Sequence, residues 1–283
     1  MKFPMTIGEH GGIEIQIETT TTCNARCHFC IYKDHPERWG KSMSMELWKK
    51  IMDEVGTIDL IFALKPIGLN EPLLDRQMEE RLRYARDKVE FIYLFTNGLL
   101  ATPERCKSLK EAGLDTMIFS LNANNAEQHE KIMGMKGKYD LVCNNIQAAQ
   151  DAGLDVEVHT VWNNDQFTSL DAFEFYQKWG SVPTGGIGLV VREGNWGGEL
   201  GRTVRKWKPN EHCYRATTQI NVLWNGIVST CCTDLLPRGL VFGDLNTQTI
   251  REVYNGEKYV QFREDHFNDR ADRYDICKGC TRI

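Results

Sequence analysis

The sequence predicts an α/β protein built on a parallel β-sheet, followed by a smaller cysteine-rich α+β part. Up to about residue 192, short apolar runs alternate with amphipathic stretches that have helical spacing. This alternation occurs six times and is typical of βα units in an incomplete barrel or a wide open sheet. After residue 202 the pattern changes to a hairpin, a helical segment and a polar tail. We therefore predict two domains, 1–204 and 205–283.

The individual elements follow from the spacing of the apolar residues. Strands are predicted at 14–20, 60–68, 91–98, 115–123, 155–164 and 186–194. Helices are predicted at 45–56, 75–88, 102–113 and across 125–152, with Thr102 as a cap and Pro103 in the first turn of the third. In a barrel or an open sheet of this kind, the functional site lies at the C-terminal ends of the strands.

The last 80 or so residues show a different organisation. The segment 220–232 contains an Asn-Gly pair, Asn225 and Gly226, between two apolar runs, which predicts a hairpin. Residues 245–264 have helical spacing, and a polar tail carrying C-K-G-C closes the sequence.

Composition and charge exclude several classes of protein. The chain has 283 residues, 41% of them hydrophobic, and a formal net charge of −5. A dedicated nucleic-acid binder usually carries a basic surplus, and a membrane span needs about 18 consecutive apolar residues. We see neither, nor a signal peptide, and we expect a cytoplasmic protein without nucleic-acid or membrane partners.

Ten cysteines in a reducing compartment indicate metal ligation rather than disulfides. Two of them, Cys106 and Cys143, stand apart in helical segments and are interpreted as buried thiols. The other eight are clustered, at 23, 27 and 30, at 213, 231 and 232, and at 277 and 280.

The first cluster, C-x-x-x-C-x-x-C, follows the first predicted strand. By spacing alone a zinc site is possible, with His28 or His35 as a fourth ligand. A four-iron cluster bound by Cys23, Cys27 and Cys30 is the more attractive interpretation, because its fourth iron stays open to a substrate or cofactor.

With an aromatic residue before its last cysteine, this motif resembles that of the radical S-adenosylmethionine (SAM) enzymes, matched here by Cys23, Cys27, Phe29 and Cys30. The resemblance implies a partial (β/α)6 barrel and a [4Fe–4S] cluster whose open iron binds SAM. Such enzymes cleave SAM reductively to a 5′-deoxyadenosyl radical, which abstracts hydrogen from a substrate. Phe29 would belong to the cofactor-binding set.

Other segments resemble the SAM contacts of that family. Residues 68–72, GLNEP, resemble its Gly-Gly-Glu-Pro segment, with Asn70 in place of the second glycine. The resemblance makes Glu71 the acceptor of the SAM amino group. The further contacts that it implies are Asn97, Ser120 and Asn122, at the ends of strands three and four. Arg192, at the end of strand six, is in a position that suits a carboxylate or substrate contact, and we include it in the cofactor-binding set. On the residues alone, these positions could equally be turns, caps and surface charges.

The second group consists of Cys213, Cys231, Cys277 and Cys280. A zinc ribbon fits this spacing as well as an iron–sulfur cluster does. The segment resembles the SPASM/Twitch auxiliary domains of radical SAM proteins, in the shorter form with one [4Fe–4S] cluster. Four protein ligands leave no open iron, which favours electron transfer or a structural role. Cys232 is interpreted as a spare.

The resemblance predicts hydrogen abstraction, most simply as a two-electron oxidation of a sugar- or aminocyclitol-type molecule, with the auxiliary cluster as electron acceptor. Peptide modification is the alternative, and Cys232 is then a candidate hydrogen donor. Proton transfer could involve Arg192, Glu193 or His159, and the glycine-rich segment 194–202 with Trp196 could contact substrate. A one-electron donor such as flavodoxin or ferredoxin would be required. A non-catalytic, zinc-stabilised binding protein is the remote alternative.

Overall fold

The computed structural model describes residues 12–162, 168–180, 189–192, 213–236, 240–278 and 280, with only the main chain at 162, 189–192 and 214. In this part of the chain, nine strands form one sheet in the order β6-β5-β4-β3-β2-β1-β7-β8-β9. The strands are β1 Ile13–Ile17, β2 Ile61–Lys65, β3 Phe91–Thr96, β4 Thr116–Ser120, β5 Asp155–Trp162, β6 Leu189–Arg192, β7 Gln219–Val222, β8 Ile227–Ser229 and β9 Val241–Asp244.

The helices flank these strands in the alternating order that the sequence predicts. They are α1 Met45–Val55, α2 Met78–Ala85, α3 Pro103–Glu111, α4 Ala126–Met133, α5 Tyr139–Asp151, α6 Ser169–Trp179, α7 Tyr214–Thr218, α8 Ile250–Tyr254, α9 Glu257–Phe267 and α10 Asp275–Lys278. Short 3-10 turns lie at Ile31–Asp34, Pro36–Arg38, Pro72–Leu74, Arg86–Lys88 and Ala271–Arg273. Among the described residues, no helix combines the length and apolarity that a membrane span requires.

Strands β1 to β6 are all parallel, which confirms the α/β class and the partial barrel. Alternate residues of β1 point to opposite faces of the sheet. Ile15 and Ile17 are fully buried in a core that includes Trp48 and Ile51 of α1. Glu14 and Gln16 therefore lie on the other face, which we call the inner face of the barrel.

The cysteine-rich part is joined to the barrel through the sheet itself. Strand β7 pairs in parallel with β1, with Gln219 opposite Glu14, and β8 and β9 extend the sheet with antiparallel pairs. The Asn-Gly turn between β7 and β8 has Gly226 at φ +87°, where a side chain would be strained. The same hydrophobic core runs on into this part through Phe242, Tyr259 and Phe262.

Several features differ from the sequence prediction. Helices α6, α7 and α10 were not predicted. The helical region 125–152 is divided into α4 and α5, because Gly134 ends α4 with a left-handed φ of +65°. Strand β9 was not predicted, since its Gly243 and Asp244 are poor strand formers and the pairing with β8 is non-local. The predicted domain boundary between residues 204 and 205 lies outside the described residues and stays a prediction.

Candidate active site

The three cysteines of the first motif lie on the loop that follows β1, at the C-terminal end of the strand. Tyr32 holds the start of the loop, because its hydroxyl accepts a hydrogen bond of 2.9 Å from the Cys23 amide. The end of α4 holds the middle, through main-chain bonds of 3.0 Å from Arg26 to Met133 and from His28 to Ile132. The loop is thus closed on itself through Tyr32 and fixed to the barrel through the end of α4.

The thiols of this loop interact electrostatically. Burial raises the pKa of Cys23 to about 12 and that of Cys27 well above its usual value, and the charges of the neighbouring thiolates, Cys30 included, raise both further. A bound cation reverses this effect, because metal coordination deprotonates a thiol outright. Among the described residues, no three Cys, His, Asp or Glu side chains converge on a single metal ion. A [4Fe–4S] cluster does not require such convergence, because it distributes its thiolate ligands over different irons.

Glu71 is the acid of the GLNEP segment, and its side chain is almost completely buried at the C-terminal ends of β2 and β3. Its carboxylate accepts hydrogen bonds of 2.7 Å from the Thr96 hydroxyl and the Asn97 amide, and one of 3.1 Å from the Leu73 amide. Its own amide donates to the Thr22 carbonyl, directly before Cys23, at 2.8 Å. The GLNEP segment, residues 68–72, is therefore in contact with the loop that carries Cys23, Cys27 and Cys30. We call them the SAM-binding segment and the cluster loop, after the roles predicted for them.

Burial raises the pKa of Glu71 to about 7, although hydrogen bonds from Asn97 and Thr96 oppose the shift. An ammonium group beside this carboxyl would hold it ionised. The Asn70 Nδ2 atom is also buried and has no hydrogen-bond partner among the described residues, whereas its Oδ1 accepts from the Gly68 amide at 2.7 Å. A buried acid and an unpaired donor fit a ligand that carries an amine and an acceptor group.

We expect SAM binding to weaken as the pH falls below 7, because the protein must release the proton on Glu71 to bind an ammonium. The loss should approach about tenfold per pH unit. The Glu71→Gln variant should bind SAM weakly at every pH and lose this slope. Equilibrium dialysis with SAM at a series of pH values up to neutrality measures both.

The ligand-free fold should respond to pH in the opposite sense. It loses stability as the pH rises from 4.5 to about 7, because the unfolded chain ionises Glu71 first.

Parallel pH profiles of SAM binding in the wild type and the Glu71→Gln variant would contradict the role given to this residue.

Asn97 connects the same elements. Its Nδ2 donates to the Asn24 Oδ1 at 2.7 Å, and its Oδ1 accepts from the Leu99 amide at 3.0 Å. Asn24 adjoins Cys23, so the end of β3 contacts the cluster loop directly.

Ser120 and Asn122 lie at the end of β4, although the strand alternation behind their prediction stops at Ser120. Asn122 has a left-handed φ of +57°, its Oδ1 accepts from the Val161 amide at 2.7 Å, and its Nδ2 lies 3.1 Å from the Met133 sulfur. That sulfur is 3.5 Å from the Cys27 Sγ. Asn122 therefore supports the loop that carries Cys27.

Of the remaining predicted site residues, the structure describes Phe29 fully and Arg192 by its main chain. Phe29 packs partly buried against the core, with its ring edge-on to His28 at 5.2 Å between centroids. Arg192 ends β6, with its main chain paired to Trp162, and its side chain is outside the description. Glu193 and the segment 194–202 with Trp196 lie outside the described residues, and their roles stay predictions.

The four cysteines of the second group interact with one another through space. The pKa of Cys277 is raised by burial and by the charges of Cys231, Cys213 and Cys280. Burial also raises the pKa of Cys231 to about 12, with the adjacent Cys232 adding to the effect. The fold thus brings together thiols that the sequence separates by up to 67 positions, with Cys277 buried and the other three partly buried.

A buried carboxylate organises the final C-x-x-C. Asp265 of α9 accepts hydrogen bonds of 2.7 Å from Arg270 Nε and 2.8 Å from the Tyr274 hydroxyl. The Tyr274 carbonyl in turn accepts from the amides of Cys277 and Lys278, at 2.9 and 2.8 Å. Asp265, which the sequence analysis missed, therefore holds the turn that presents Cys277.

Polar side chains line the inner face of the barrel. The Glu14 carboxylate lies 3.4 Å from the Lys65 ammonium and accepts hydrogen bonds from Tyr93 Oη and Gln219 Nε2. Asn221, two residues after Gln219 on the same face, is buried, and neither atom of its amide has a partner among the described residues.

His159 is the predicted proton carrier that the structure describes fully. It lies on β5 opposite Ser120, and its Nε2 is 2.7 Å from the Glu157 Oε2. Its ring stands edge-on to Phe95 of β3, 5.5 Å between centroids. Phe95 and His159 both alternate with core residues of their strands, which places them on the inner face.

Comparison with known proteins defines the class. A model of the radical SAM superfamily matches residues 17–164, over half of the chain, and a model of an iron–sulfur cluster-binding domain, SPASM, matches residues 213–281. The chain therefore belongs to the radical SAM superfamily, and it is a SAM-dependent iron–sulfur enzyme with a C-terminal SPASM domain. This confirms the resemblance carried by Cys23, Cys27, Phe29 and Cys30.

Individual relatives cover the chain to different extents. It is 27% identical over 169 residues to an AdoMet-dependent heme synthase of Nitratidesulfovibrio vulgaris, covering 58% of this chain and 45% of the relative. The chain spans about half the length of the first curated relatives that it matches. It is 23% identical over 274 residues to the S-adenosyl-L-methionine-dependent 2-deoxy-scyllo-inosamine dehydrogenase of Niallia circulans, covering 95% of this chain and 92% of the relative.

Among solved structures, BtrN in complex with AdoMet and 2-DOIA has the same fold, with a TM-score of 0.66 and 19% identity over 96% of this chain and 94% of that one. The family implies SAM and a [4Fe–4S] cluster, and the SPASM domain implies further cluster binding. That the SPASM part holds one cluster, on the four cysteines named above, stays a prediction.

Proposed function

We propose that the protein oxidises a hydroxyl group of a sugar- or aminocyclitol-type small molecule to a carbonyl group. The observation that carries this proposal is the similarity to the dehydrogenase of Niallia circulans, which extends over nearly the full length of both chains. The partial matches to heme synthases stop at 58% or 59% of this chain.

The chemistry of the inner face supports a polyhydroxylated substrate. Carboxylate, ammonium, phenol and amide groups line this face at Glu14, Lys65, Tyr93 and Asn221. Such a set can donate to and accept from several hydroxyl groups at once, and a buried unpaired amide is satisfied only by a polar ligand or water.

Each group has a defined task in the proposed reaction. When bound, SAM and the two clusters supply the radical that takes a hydrogen atom from carbon and the acceptor for the remaining electron. Glu71 would bind the SAM amino group. The hydroxyl proton passes to Nδ1 of His159, because Nε2 donates to Glu157 and so fixes the tautomer. The products are a carbonyl compound, 5′-deoxyadenosine and methionine.

The partners follow from this chemistry. The enzyme would need a one-electron donor such as flavodoxin or ferredoxin to start each cleavage of SAM. We propose a cytoplasmic location, where such donors and reduced thiols are maintained.

The test is anaerobic incubation of the cluster-loaded protein with SAM, a reductant and 2-deoxy-scyllo-inosamine, followed by a panel of cyclitols and sugars. We expect a product lighter by two hydrogen atoms, formed in step with 5′-deoxyadenosine. His159→Gln should lower product formation by about a hundredfold while SAM cleavage continues, because only the proton acceptor is lost.

His35→Gln is the matched control, since His35 forms the same kind of pair with Glu37 at 3.1 Å on an exposed loop. It should leave product formation unchanged. A chain that oxidises none of these alcohols but changes a peptide would contradict the proposal and favour peptide modification.

A further inference from the structure

A buried ion pair between Glu18 and Arg38 takes no part in the chemistry described above. Glu18 follows β1 directly, and its side chain is completely buried, while that of Arg38 is 10% exposed. The Arg38 Nη2 atom donates to both carboxylate oxygens, at 2.6 and 2.8 Å. The two residues flank the loop that carries Cys23, Cys27 and Cys30.

This pair connects three functional segments. The Leu69 amide of the SAM-binding segment donates to Glu18 Oε1 at 3.0 Å, and the Trp224 amide of the β7–β8 turn also donates to this carboxylate. Arg38 Nη1 donates to the carbonyl of Leu235, four residues after Cys231. One carboxylate and one guanidinium therefore join the cluster loop, the SAM-binding segment and the SPASM part.

The fold leaves space for this arrangement and packs around it. A Cβ atom on Gly68 would lie 2.6 Å from the Glu18 side chain, so glycine is required where the SAM-binding segment passes the acid. A small apolar cluster unites the same segments, with Cys23 and Cys30 against it; its buried members are Ile31, Tyr32, Leu69, Leu223 and Leu235.

Stability does not explain a charged pair at this place. Burial raises the pKa of Glu18 despite the adjacent guanidinium. The loss of hydration therefore destabilises the carboxylate more than Arg38 and the main-chain hydrogen bonds stabilise it. Apolar groups of the same shape would commonly hold such a position equally well or better. What the pair adds to the apolar contacts is direction, because the rigid guanidinium donates through Nη2 to Glu18 and through Nη1 to the Leu235 carbonyl at a fixed angle.

We propose that Glu18 and Arg38 are positioning residues that set the placement of the SPASM cluster site relative to the SAM cluster site. They act through the main chain of Leu69, Trp224 and Leu235. The inference rests on the family of the protein and is independent of the substrate.

The test uses the full-length protein with its clusters loaded and the double variant Glu18→Gln/Arg38→Met, which leaves no buried charge unpaired. We expect it to unfold near the wild-type temperature and to retain its iron. Hydrogen exchange of the Leu69 and Trp224 amides should rise by about tenfold, as expected when the charged acceptor of a hydrogen bond is replaced by a neutral one. The magnetic interaction between the two reduced clusters in the electron paramagnetic resonance spectrum should change with their separation and orientation.

The matched control is Asp75→Asn/Arg81→Met, which neutralises a second buried pair, 2.8 Å between Arg81 Nε and Asp75 Oδ2, within the barrel. It should leave the Trp224 amide and the magnetic interaction as in the wild type. A Glu18/Arg38 double variant with full iron, wild-type exchange and a wild-type magnetic interaction would overturn the proposal. Failure of this variant to fold or to load iron would overturn it too, because the pair would then serve folding itself.

Discussion

Replacing Cys27 by alanine is expected to abolish the release of 5′-deoxyadenosine from SAM. Cys27 is the central thiol of the cluster loop, within electrostatic reach of Cys23 and Cys30. Two thiolates do not hold a cluster in the place where three leave one iron open. The rate should fall by more than about a hundredfold, which exceeds the usual cost of losing a residue that only supports a ligand. Chromatography of anaerobic reaction mixtures measures the release.

Cys106→Ala is the control for this variant. Cys106 is a completely buried thiol of α3. Its sulfur lies 3.3 Å from the Ala101 carbonyl oxygen, to which it donates a hydrogen bond. The variant should lose some stability through a small cavity and keep SAM cleavage. Substantial release of 5′-deoxyadenosine by the Cys27 variant would refute the role of the loop.

Replacing Cys277 by alanine should separate SAM cleavage from product formation. The largest charge effects on Cys277 come from Cys231, Cys213 and Cys280 rather than from the cysteines of the first motif, so we expect the first site to remain intact. We expect iron to fall from about eight to about four atoms per chain, one [4Fe–4S] cluster. Cleavage of SAM should persist, while alcohol oxidation should fall by more than about a hundredfold, because the remaining electron has no acceptor.

Cys232→Ala distinguishes the two roles considered for the neighbouring thiol. If Cys232 is a spare, this variant keeps all of its iron and its oxidation activity. Loss of activity with full iron would assign Cys232 to hydrogen transfer and favour the peptide-modifying alternative. Loss of iron would make Cys232 a ligand in place of Cys231.

Local sequence rules predicted the elements that local interactions determine. Helix α3 begins at Pro103, and its cap Thr102 accepts from the Arg105 amide, as the sequence indicates. The Asn-Gly pair predicted the β7–β8 hairpin for the same kind of reason. The break between α4 and α5 depends on Gly134, which lies against the main chain of Arg26 in the cluster loop, a contact over more than a hundred residues.

The candidate site residues could be predicted where they form short motifs in the sequence. The residues that support them could not be predicted as a set, because they are distant in the sequence. Glu71 and the seven cysteines predicted as cluster ligands stand in recognisable spacings. Glu18 shares its strand face with Glu14 and Gln16, so alternation predicts an inward acid. Its bond partners Arg38 and Leu69, and the carbonyl of Leu235 beyond them, come together only in the fold.

The central claim is that one chain holds two iron–sulfur clusters, one with an open iron for SAM and one fully ligated by protein. Analysis of iron, zinc and acid-labile sulfide in the anaerobically reconstituted protein tests it most directly. We expect about eight irons and about eight sulfides per chain and no stoichiometric zinc, with broad visible absorption. Stoichiometric zinc with no sulfide would contradict it.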